Sequence, residues 1–96
     1  MSHSIINSVE LIPFIEEAIE GVQTAEDFAI KSLPKDFVGS LKFDNIKSNC
    51  KRLFKQLFDL QKLAKTNEVV HLSSDDAARI YDYSESFKNR LNKGYR

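Results

Sequence analysis

Apolar positions recur at spacings of three and four along three stretches of the chain. In the first, Leu11, Ile15, Ala18, Ile19, Val22, Ala25, Ala29 and Leu33 keep one phase. In the second, Ile46, Cys50, Leu53, Leu57, Leu60 and Ala64 fall within roughly 80° of arc at about 100° per residue. In the third, Ala77, Ile80, Tyr83, Ser84, Phe87 and Leu91 form a thinner stripe that includes a polar position. This spacing belongs to helices that bury one face, and it predicts helices over about 8–33, 44–65 and 74–92.

Local signals set the ends. Ser8 is a suitable N-cap with Glu10 in the first turn, and the residue before Pro34 avoids the helical region, which stops the first helix. Asp44 can cap the second helix. Ser73 followed by Asp76 resembles a capping box, and Asn92 and Gly94 supply a C-terminal signal. Pro13 removes one helical hydrogen bond, so the first helix is expected to kink near residues 9–13 or to begin there. Gly21 falls at the edge of the first stripe, where a missing side chain would admit another helix. Residues 1–7 are expected to fray. Residues 66–72, with β-branched Val69 and Val70, are expected to cross in extended form with Val70 or Leu72 tucked under.

Short links place successive helices antiparallel. The expected fold is therefore all-α: one domain over residues 1–96, an antiparallel three-helix bundle, with room for a short fourth helix near 35–41 around Phe37. Rods of 20–25 residues span about 30–38 Å and enclose a narrow core, so the bundle is expected to self-associate, most simply as a homodimer.

Composition narrows the setting. A chain of 96 residues with 42% hydrophobic and 29% charged residues is an ordinary globular domain. One cysteine permits no intramolecular disulfide. No apolar run approaches membrane-spanning length, and the N-terminal residues lack the pattern of a signal peptide. A cytoplasmic protein with no membrane contact is expected.

The net charge of zero conceals a pattern. Residues 1–41 carry seven acids and two bases, net −5; residues 42–65 carry seven bases and two acids, net +5; residues 66–96 carry five of each. An acidic helix lying beside a basic one accounts for this, and so do two faces that meet partners of opposite charge.

Catalytic chemistry is sparse. Glu68 and His71 form one E-x-x-H pair, half of a carboxylate-bridged two-metal site, but no second pair exists to complete it. His3 and His71 lack a phosphorelay context. Cys50 sits mid-stripe as a small hydrophobe, and Lys51 and Arg52 point away from it on the helix. Ser73 and Ser74 are capping residues with no base beside them, and the three glycines make no phosphate loop. No enzyme, metal or cofactor is expected.

What remains is the flank of the central helix. Phe54 and Phe58 extend the buried arc on one side only, and Lys47, Lys51, Lys55, Lys62 and Lys65 lie beyond Phe54 within roughly another 80°. Aromatic anchors with a charged rim are how interface energy is usually distributed. The expected function is a non-enzymatic protein-binding module, a small regulator, inhibitor or adaptor. Phe54 and Phe58 are its anchors, Lys51, Lys55 and Lys62 its orienting rim, and its partner is an acidic protein. One alternative is nucleic-acid contact through the same lysines, which lack the spaced arginines and amides that read base edges. Another is a structural subunit that meets only its own copies.

Overall fold

A computed structural model describes residues 3–94. Strand β1 (His3–Asn7) leads into helix α1 (Ser8–Lys31), and helix α2 (Phe37–Thr66) returns alongside it. Strand β2 (Val69–Ser73) then pairs antiparallel with β1, with Ile6 opposite Val70 and Asn7 opposite Val69. Helices α3 (Ser74–Tyr83) and α4 (Glu85–Gly94) finish the chain. The molecule is mostly helical, as expected, but the three-helix bundle is replaced by a long hairpin, two short helices and a two-stranded ribbon.

Helix α1 is the hub: β1, α2, α3 and α4 all pack on it, whereas α2 meets chiefly α1 and β2. The core joins Leu11, Ile15, Ala18 and Val22 of α1, Leu57, Leu60 and Ala64 of α2, Val70 and Leu72 of β2, and Ile80 and Phe87. Both Val70 and Leu72 are buried beneath the ribbon, so the segment crosses in the extended form its β-branched residues favour.

Several local expectations need correction. Of residues 1–7, the first two lie outside the described residues and residues 3–7 do not fray. They form β1, and the chain is fastened where the ribbon meets the helix: the Ser8 amide donates to the Glu68 carbonyl at 2.9 Å, and the buried Ser8 hydroxyl donates to the Asn67 carbonyl. Ser8 is thus the first residue of α1 rather than its cap. Pro13 does not start the helix: it lies inside α1, which already begins at Ser8, and it is exposed.

The second helix begins at Phe37 instead of residue 44, and absorbs the short fourth helix anticipated near 35–41. Asp36 is the cap, its carboxylate accepting from the Gly39 amide at 2.9 Å. Gly39 is buried against the Pro34 carbonyl, where any Cβ would collide. Asp44 then lies inside a continuous helix.

Lastly, the third helix is broken at Ser84. Ser84 closes α3 by donating its amide to Ile80 O at 2.8 Å, and opens α4 by accepting from the Phe87 amide at 3.2 Å. The break seats the Tyr83 carbonyl against Gly21, where a Cβ would collide. This is the close approach that the position of Gly21 predicts.

Candidate functional site

The elements that pack on α1 leave one flank of it alone. Gly21, which receives α3, lies about 160° around the helix from Ile19. Ile12, Ile19 and Ile30 share the Ile19 flank and are half-buried. On α2, Phe54 and Phe58 occupy the corresponding flank. In an antiparallel hairpin these flanks fall on the same side. The Glu26–Lys47 ion pair at 3.6 Å bridges the helices. Stepping seven residues back from Glu26 and seven forward from Lys47 brings Ile19 level with Phe54. Nearer the turn, Ile30, Leu33 and Phe43 line one shallow depression.

Phe54 is half-buried against the core, whereas Phe58 is 50% exposed. Their rings stack with centroids 6.3 Å apart and planes 30° from parallel. An exposed ring held flat against an anchored one loses little freedom on binding. Of the lysine row, Lys47 is tied to Glu26 and lies 6.0 Å from the Phe43 ring centroid. Lys55 pairs with Asp59 at 2.9 Å, an exposed contact on its own helix contributing about 0.3–0.5 kcal/mol. Among the described residues Lys51 and Lys62 make no ion pair, and both are exposed.

Sequence reasoning missed the contribution of α1. Ile12, Ile19 and Ile30 form the second wall of the face, and Glu16, Glu20 and Asp27, all exposed, follow them around the helix within roughly 100°. Both signals are present in the sequence of α1, but nothing there says that α3 takes the other flank. The assembled face has an apolar floor, an acidic rim on α1 and a basic rim on α2. The rims of one hairpin do not neutralise one another broadly: among the described residues Glu26–Lys47 is the single ion pair between these helices.

The remaining candidate chemistry falls elsewhere. Glu68 precedes β2 and His71 lies within it, both exposed; residues three apart on an extended segment point to opposite faces, so the pair does not converge. Cys50 is half-buried, and burial followed by the Glu26 carboxylate pushes its thiol above the ordinary value, against the influence of Lys47. A thiol held protonated is a poor nucleophile. The strongest polar cluster is structural: the Glu17 carboxylate accepts from Ser86 N and Ser86 Oγ, each at 2.8 Å, and from Ser84 Oγ at 3.1 Å. The Ser86 hydrogen bonds, backbone first, hold this carboxyl below its ordinary value. Glu17 thereby caps α4 from a neighbouring helix.

No known protein family, curated protein or solved structure matches the chain. Among the described residues no helix is long and apolar enough to cross a membrane.

Proposed function

We propose that this protein is a non-enzymatic binding module that docks a protein partner on the open face of the α1–α2 hairpin. The observation that carries this reading is the Phe58 ring, half-exposed and stacked on an anchored Phe54. Burying an aromatic ring of this kind supplies much of the energy of a typical interface. Lys51, Lys55 and Lys62 would orient an acidic surface above it, governing encounter more than final affinity. Ile12 and Ile19 extend the floor beyond the residues legible in α2 alone. A cytoplasmic setting, where a single free thiol stays reduced, belongs to the same proposal.

The test is affinity capture with the wild-type chain and with Phe58→Asp, each checked for helicity by circular dichroism. The expected result is retention of an acidic protein, or of the chain itself, by wild type, and its loss with Phe58→Asp at unchanged helicity. Equal capture by both proteins removes the reading. Binding to duplex DNA at 50 mM salt that vanishes by about 200 mM would assign the lysines to phosphates instead.

A further inference from the structure

The open face carries its own complement. Its acids lie on α1 (Glu16, Glu20, Asp27) and its bases on α2 (Lys51, Lys55, Lys62), on either side of one apolar floor. We propose that the occupant of this face is a second copy of the chain, laid face to face about a two-fold axis running along the hairpin. That axis sets α1 of each protomer over α2 of the other. Acidic rim then meets basic rim twice, and Phe58 of each copy enters the apolar floor of its partner. The alternative axis, across the hairpin, would stack α1 on α1 and acid on acid. The rims therefore select one arrangement, a four-helix bundle built from two hairpins. This inference rests on the binding reading above and specifies its partner.

Surface area points the same way. The chain exposes 6893 Å², where a monomer of 11.0 kDa typically exposes about 5,600 Å². Its radius of gyration is 15.3 Å, against about 12.5 Å for a globule of this length. The excess goes with an elongated shape, 47 × 31 × 23 Å, which leaves room along the hairpin for the roughly 800 Å² per partner of a standard interface. Toward the turn, Ile30, Leu33, Ile46, Cys50 and Leu53 all remain half-buried because only two helices are present there. A hairpin alone supplies half of the layers a core needs.

The test is molar mass by light scattering over a concentration series, on wild type and two charge-reversed variants. One carries Lys51→Glu, Lys55→Glu and Lys62→Glu; the other carries Glu16→Lys, Glu20→Lys and Asp27→Lys. Wild type is expected to dimerise. Each variant alone is expected to weaken self-association at least about tenfold, because like rims now face each other. An equimolar mixture of the two is expected to restore the dimer, since every rim again meets its opposite. Wild type that stays monomeric to about 1 mM overturns self-pairing, while the binding reading stands or falls separately on Phe58→Asp. A dimer indifferent to both reversals, or unrestored by mixing, overturns the arrangement. Should reversal disturb helicity, Lys51→Gln with Lys62→Gln takes its place: it should flatten the salt dependence of dimerisation, and an unchanged salt dependence overturns the proposal.

Discussion

Along the α1–α2 hairpin one stripe is treated in two ways. At the base, Leu11, Ile15, Ala18 and Val22 face Leu57, Leu60 and Ala64, and α3, α4 and the ribbon close over them until almost nothing is exposed. Toward the turn the stripe continues with the same spacing, yet Leu33, Ile46 and Leu53 stay half-buried, as does Ile30 on the flank. The difference lies in the number of layers rather than in the helices. Hydrophobic stabilisation follows the area removed from water, so equal residues on one helix contribute unequally according to what lies across from them.

Truncating the same residue type in each half should give the largest difference. Ile15→Ala leaves a cavity in a fully enclosed site and should cost about 2–5 kcal/mol in chemical denaturation. Ile30→Ala should cost about 1 kcal/mol or less in the dilute monomer. Equal losses would mean that the turn end is packed as tightly as the base.

Next in size is the joint that closes the base. Gly21→Ala pushes a methyl group into the Tyr83 carbonyl, a backbone atom that cannot swing aside. Overpacking of this kind should lower stability by about 1–3 kcal/mol and loosen α3 from α1, read as faster amide exchange in residues 80–87. Unchanged exchange there would separate Gly21 from the docking of α3.

The Glu17 clasp makes the base sensitive to pH. Its carboxyl titrates below the ordinary value in the folded chain because the charged form accepts the Ser86 and Ser84 hydrogen bonds. The unfolded chain therefore binds this proton more readily, and stability rises with pH across the interval between the two values. The contribution is complete above the ordinary carboxylate range and is lost as pH falls through the depressed folded value. Glu17→Gln should lower stability at neutral pH and reduce the dependence of stability on pH below that range. A variant whose acid sensitivity matches wild type would show that the clasp is not a determinant of the base.

The smallest expected effect lies at the far end. Phe37→Ser replaces a ring that is mostly in water and should change monomer stability by no more than about 0.5 kcal/mol. A larger loss would reveal packing at the turn that the comparison denies.

Much of this could be read from the chain. Periodicity located all three stripes, Ser73 caps α3 by accepting from the Asp76 amide at 3.2 Å, and the edge position of Gly21 marked a close approach. Phe54 and Phe58 on the flank of α2 were equally visible. The break at Ser84 left a trace as a polar residue in an apolar stripe, but its meaning depended on Glu17, 67 positions away in sequence. Asp36 was legible as a cap only once Gly39 was known to lie under Pro34.

Residue spacing located the helical stripes and the apolar face of each, because that pattern depends on neighbours three and four positions away; it did not locate the start of α2 or the break at Ser84. Which flank of that face is covered depends on contacts between residues far apart in the chain. Long-range choices made it so: β1 pairs with β2, α3 settles on Gly21, and a carboxylate on α1 caps α4. Together they draw α3 and α4 to one side of the hairpin. The other side is left with an apolar floor between rims of opposite charge.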